Sequence, residues 1–354
     1  MKLDTTWPAD SVEFCPHPKA SNIVVCGTYF LCDTHPEVPS SDVDGEPAVS
    51  SSPQRRRGKC IVLDVSNSST QPQIKEELEF SAVPDMKWSY HHTEKETHLA
   101  IAESEGRIVV ARWNIDSSRM EILQRIESSD PGTLCLSLDW SNRVNKEIGR
   151  LITSRSDGSV QVLQYSDSGD LVPQDAWHAH DFESWIAAWD YWDTNVCYSG
   201  GDDLALKGWD IRASSKQPTF INKRFGGGVT TIQSNPHYEN VLAVGSYDES
   251  VRVFDTRNLR SPISETPVGG GVWRVKWHPS SSRRTDLLTA CMHDGFKVVH
   301  FSDDWASSDT IKHFEEHTSL AYGVDWYHGA LDNDGRTLVA SCSFYDHVLH
   351  TWAG

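Results

Sequence analysis

The feature that most constrains this chain is a pattern that returns about every 48 residues. An apolar strand leads into a tight polar turn carrying an acidic residue, and a strand of alternating apolar residues follows. The turns read SEGRIVVARW, SDGSVQVLQY, DDLALKGWD, YDESVRVFD, HDGFKVVHF and YDHVLHTW. Their acidic markers are Glu105, Asp157, Asp203, Asp248, Asp294 and Asp346, at intervals of 52, 46, 45, 46 and 52 residues. A degenerate earlier copy, RRRGKCIVLDV, puts Arg57 in the marker position, 48 residues before Glu105. A short β unit of this kind cannot bury its apolar faces alone, so its copies must stack on one another. The spacing is close to the roughly 40–45 residues of a four-stranded blade. The expected fold is all-β: a seven-bladed β-propeller filling residues 1–354 as a single domain.

One copy carries the full signature of a WD repeat. Asp203 is followed by Trp209 and Asp210, with His180 and Ser199 upstream. In WD-repeat proteins a His, a Ser or Thr, an Asp and a Trp form a hydrogen-bonded tetrad that locks a blade, and His180, Ser199, Asp203 and Trp209 resemble that set. The last copy keeps part of it in His317, Asp346 and Trp352. Elsewhere the Trp is replaced by Phe254, His300, Leu163 or Ala111, so those blades must rely on packing. A Trp also recurs near the end of the inner strands (Trp88, Trp140, Trp189, Trp277, Trp326), where a large ring would fill the wedge between blades. The last copy stops after a third strand. Lys2–Trp7 is expected to supply the fourth, closing the ring and removing its edge strands. Residues 35–59, rich in Ser, Pro and charge, read as a disordered loop inside the first blade.

The charge balance excludes some partners. With 32 basic and 50 acidic residues the net charge is −18, which repels phosphate backbones and disfavours direct nucleic-acid binding. The eight cysteines show no metal-ligand spacing and mostly sit in apolar runs, as reduced thiols packed in a cytoplasmic protein would. No metal is expected. MKLDTTWPAD lacks the apolar run of a secretory signal, and no segment is long and apolar enough for a membrane span. A closed ring offers no edge for pairing, so a monomer is expected.

Residues that depart from the repeat template are the candidates for function. His293 precedes a marker Asp where other copies carry Ser, Asp or Tyr. Beside Asp294 it could serve as a general base, or it could be a plain surface-turn His. Trp185, Trp273 and Tyr322 open three inner strands at matching places, with Thr230 at that place in a fourth. At the mouth of a propeller channel such rings could cage a cation at about 0.5–2 kcal/mol per ring. The alternative is packing between blades. The last blade adds Ser343 and Tyr345, with His317 assigned to the structural tetrad. Ester cleavage needs a nucleophile or activated water, a base and an oxyanion site. Catalytic residues drawn from this set would be His293, Ser343, Asp294 and Tyr345, with Trp185, Trp273 and Tyr322 binding substrate.

The segments GGDDLALKGWDIR, GGGVWRVKWHP, ACMHDGFKVV, SLAYGVDWYHG and ASCSFYDHVLHTW resemble the diphthine methyl ester hydrolase family, WD-repeat proteins of the diphthamide pathway. The resemblance is close over Trp185 to Trp352 and looser before. It implies a carboxylic ester hydrolase that acts on the methyl ester of methylated diphthine, a modified histidine of elongation factor two. The products would be diphthine and methanol, and no cofactor would be required. The family has also been named a methyltransferase, yet no methyl-donor fold can be read here. The resemblance leaves open whether water or Ser343 attacks. The competing reading is a non-catalytic WD-repeat scaffold or adaptor for a protein partner.

Overall fold

Each copy of the repeat becomes one antiparallel sheet, and the seven sheets stand in a ring. The computed structural model describes residues 1–32, 55–66, 71–128, 130, 132–213 and 217–354. The inner strands of blades one to seven are Ala9–Phe14, Met86–His92, Cys135–Trp140, Ser184–Trp189, Val229–Ser234, Arg274–Trp277 and Ala321–Trp326. Blade four shows the pattern in full: Ser184–Trp189, Val196–Gly201, Leu206–Asp210 and Phe220–Asn222 pair in chain order. Inner strands such as Ala9–Phe14 are buried along their whole length, because neighbouring blades cover both faces. The outer strand Gln73–Phe80 is mostly exposed and alternates only in its second half, as a half-covered sheet edge should.

The last blade takes its fourth strand from the opposite end of the chain. Lys2–Asp4 pairs antiparallel with Val348–Ala353, setting Lys2 opposite His350, Leu3 opposite Leu349 and Asp4 opposite Val348. Of the loop expected over 35–59, residues 35–54 lie outside the described residues. The end of it is not loop: Arg56–Asp64 is the third strand of blade one, because GKCIVLDV supplies the alternating apolar run that pairs with Ile23–Thr28.

The recurring Trp residues fill the wedges between blades. Trp88, Trp140, Trp189, Trp277 and Trp326 are all buried. The indole N–H groups of Trp140, Trp277 and Trp326 donate to the carbonyls of Lys87, Gln233 and Lys276, on the inner strand of the preceding blade. Each of these three rings thus removes roughly 150–250 Å² of apolar surface from water, about 4–6 kcal/mol of transfer free energy, and satisfies its polar atom, whereas the Trp88 and Trp189 indole nitrogens find no hydrogen-bond partner among the described residues. Inner-strand side chains tie the ring together too. Asp85 accepts from the Leu138 amide, Asp139 from Trp189 and Asp325 from Phe14, each reaching the next blade.

The hairpin turn is uniform. The residue after the marker is in the left-handed region in every copy from the second on: Gly106 at φ +74°, Gly158 +79°, Leu204 +59°, Glu249 +65°, Gly295 +65° and His347 +56°. Glycine adopts this freely; Leu204, Glu249 and His347 are held there by the flanking ladders. All eight cysteines are free thiols, and all but Cys32 are buried. Among the described residues no helix is long and apolar enough to cross a membrane.

Candidate functional site

The blade-four tetrad forms as the sequence suggested. Trp209 Nε1 donates to Ser199 Oγ at 2.9 Å, Ser199 Oγ lies 2.7 Å from His180 Nε2, and His180 Nδ1 lies 2.7 Å from Asp203 Oδ1. Burial holds the His180 pKa below its ordinary value, so the imidazole is neutral and its Nδ1–H donates to Asp203. The Lys207 ammonium, 3.0 Å from Asp203 and 2.6 Å from the Ala179 carbonyl, balances the carboxylate.

Blade seven lengthens this chain by one hydroxyl. Trp352 Nε1 donates to Ser341 Oγ at 3.0 Å, and Ser341 Oγ meets His317 Nε2 at 2.9 Å. His317 Nδ1 then meets Ser343, whose hydroxyl donates to Asp346. Ser343 is therefore a structural link with 0% exposure. Burial presses the His317 pKa down to about 3. Its Nδ1–H donates to Ser343, the wrong direction for a base that must withdraw the hydroxyl proton.

Two cavities open on the face where the inner strands start. The larger, about 490 Å³, is lined by His293, Asp294, His317 and Tyr345, along with Thr318 and Ser319. Three of the four expected catalytic residues meet here; Ser343 does not line it. His293 is exposed on its turn. The Asp294 carboxylate is taken by Lys297 at 2.5 Å, so it does not orient His293.

The second cavity, about 360 Å³, lies at the channel mouth and contains Trp185, Trp273 and Tyr322. Trp185 meets Trp273 edge-on at 5.7 Å, and Trp273 stacks on Tyr322 at 4.8 Å. Thr230 does not join them: it is buried, and its hydroxyl donates to the Val272 carbonyl. Tyr247 takes that place, 6.3 Å from Trp185 and 6.2 Å from Trp273. Phe344 extends the line, 5.2 Å from Tyr322 and 4.9 Å from Tyr345, so one row of rings joins the two cavities.

Four charged residues of this mouth, Asp10, Arg56, Glu183 and Arg274, were not anticipated from sequence. Asp10 is buried, and its Oδ1 has no hydrogen-bond partner among the described residues. Burial raises its pKa to about 7, against the opposing pull of Arg274. Arg56 donates to the Tyr29 hydroxyl at 2.7 Å. Arg274 lies 5.6 Å from the Trp273 ring and 3.5 Å from Asp85. Asp10 stands one residue into an inner strand, and no motif marks it. Tyr247 had a signal, since it fills the pre-marker position that His293 fills one blade later.

No family model matches the chain. Curated relatives do, and two of them illustrate the match. A Mus musculus protein named diphthine methyltransferase is 39% identical over 337 residues, covering 92% of this chain and 68% of the relative. A Homo sapiens protein of the same name is 38% identical over 336 residues, covering 92% and 73%. Among solved structures, a chain of "Crystal Structure of Mitotic Checkpoint Complex" superposes with a TM-score of 0.69 at 17% identity, covering 100% of this chain and 91% of that one, which shows the fold alone.

These names correct the reaction expected from sequence. The relatives are named for methyl transfer, so a carboxylic ester hydrolase acting on methylated diphthine, a methylesterase, is set aside. The geometry agrees on one point: the hydroxyl offered as nucleophile, Ser343, is sealed inside the blade-seven network. The scaffold alternative gains nothing from the relatives' names.

Proposed function

Because the chain belongs to the diphthine methyltransferase family, we propose that it works at the methyl-transfer step on diphthine, carried by elongation factor two. Its part there is to grip the modified side chain in the aromatic mouth. Diphthine bears a quaternary trimethylammonium group and a carboxylate. A cation of that kind forms no hydrogen bonds and is held by ring faces and by unshared negative charge.

The single observation that carries this reading is Asp10, buried beside Trp273 and Tyr322 with an oxygen that nothing in the described chain satisfies. A buried carboxylate with an unsatisfied oxygen is costly, and the Arg274 charge offsets only part of its burial. A bound quaternary ammonium donates no hydrogen bond but offsets the Asp10 charge, which favours the ionised carboxylate. Arg56 and Arg274 line the same cavity and suit the carboxylate end. The relatives' name also implies a methyl donor. Its usual cradle, a glycine-rich turn between a strand and a helix, is not present among the described residues, whose single helix is the three-residue turn Ser281–Arg283.

The test is to titrate the full chain with elongation factor two bearing diphthine and with the unmodified factor, and to follow the methyl count of the side chain by mass spectrometry. Expected are preferential binding of the modified factor, weakened about tenfold or more in Trp273→Ala, and a change in methyl count that needs the protein. Equal affinity for modified and unmodified factor would overturn the reading.

A further inference from the structure

The inner strands have two ends. Their starts carry the aromatic mouth, and their far ends carry a second opening. There a cavity of about 330 Å³ is lined by Arg143, Lys146, His92, His237, His328 and Tyr90, the rest being proline and valine. None of its eleven lining residues is acidic, although the chain holds 50 acidic residues against 32 basic ones. A local inversion of charge on so acidic a molecule concentrates the field for anions in one place.

The Asp325 and Asp139 carboxylates attract Arg143 from the channel side without forming an ion pair with it, and no acidic residue lines the mouth side. Arg143 lies 4.7 Å from the Tyr90 ring centroid and 5.8 Å from that of Tyr191, and makes no ion pair or side-chain hydrogen bond among the described residues. The two rings hold the guanidinium at the boundary between the channel and this mouth, and it lines both. Lys146 is exposed and likewise has no ion pair among the described residues. His328 packs edge-on against Tyr90 at 5.9 Å. The two mouths are separated by charged pairs that plug the channel: Glu13 sits 2.8 Å from Lys87 and 2.5 Å from Lys276, and Lys276 sits 3.5 Å from Asp325.

We propose that this far mouth is a binding site for a small phosphate- or carboxylate-bearing anion, held by the Arg143 guanidinium and the Lys146 ammonium between walls of Tyr90 and proline. The volume is at the low end for small-molecule pockets, which suits a compact anion. The site is independent of the diphthine reading.

Calorimetry on the full chain at low salt, with inorganic pyrophosphate and separately with citrate, tests it. One-site binding of at least one anion is expected, weakened about tenfold in Arg143→Gln and unchanged in Trp273→Ala. Pyrophosphate alone binding assigns the ligand as a phosphate; citrate alone assigns a carboxylate. Should Arg143→Gln fail to fold, Lys146→Glu, at an exposed position, is expected to weaken binding in its place. No heat with either anion, or full affinity in the folded variants, would overturn the proposal.

Discussion

Asp10 shows how much one side chain can depend on its surroundings. Its carboxyl is pushed up to about 7, chiefly by burial. An acid whose folded pKa is raised favours folding below its unfolded pKa near 3.8, and that contribution is lost as pH rises through about 7. Asp10→Asn is therefore expected to raise the melting temperature relative to the parent at pH 8 and to change little at pH 4. Ligand binding should move the opposite way. Affinity for tetramethylammonium is expected to climb with pH through about 7 as Asp10 ionises, and Asp10→Asn should flatten that profile. A parent profile without a step would remove Asp10 from the cation site. Ser343 makes a different prediction. As a link between His317 and Asp346 it should matter to stability, so Ser343→Ala is expected to cost about 1–3 kcal/mol in urea unfolding. An unchanged midpoint would mean the hydroxyl is free for other work.

At the scale of the element, the hairpin turn is imposed by the blade rather than chosen by its own residues. Glu249 sits at φ +65° on an exposed turn where other copies use glycine. Left-handed backbone costs a non-glycine residue about 1–2 kcal/mol, and glycine returns part of that in unfolded-state entropy. Glu249→Gly is expected to stabilise the chain by about 0.5–1 kcal/mol, read from the denaturation midpoint. The strands themselves were legible because their alternation recurs and the acidic marker survives in six of the seven copies. The end of the 35–59 stretch was not. Its charge and RRR run hid the strand opening at Arg56, because pairing of Arg56 and Arg57 with Phe30–Leu31 and of Gly58 and Lys59 with Phe80 and Glu79, not composition, makes those residues a strand.

For the whole molecule, closure is the decisive event. Lys2–Asp4 brings the chain's start onto Val348–Ala353, and the Met1 amino group reaches the Thr351 carbonyl at 2.6 Å. Removing residues 1–4 is expected to expose the edge of Val348–Ala353 and to produce concentration-dependent association in sedimentation, where the parent should show none. The same closure sets two unlike mouths at the two ends of the inner strands, one aromatic around Asp10 and one cationic around Arg143.

By itself the sequence determined the seven-fold repeat, the strand that closes it, the wedge tryptophans and the His180 tetrad, because each is written in spacing and residue type. It also brought Trp185, Trp273 and Tyr322 to one mouth by their matching places in three blades. Only the tertiary structure decided that Ser343 belongs to a buried relay, that Tyr247 and not Thr230 completes the ring of aromatics, and that Asp10 is buried beside it with one oxygen unsatisfied among the described residues. Those facts depend on which groups the closed ring brings within hydrogen-bonding distance across blades some tens to hundreds of residues apart in the chain, and periodicity carries no record of that.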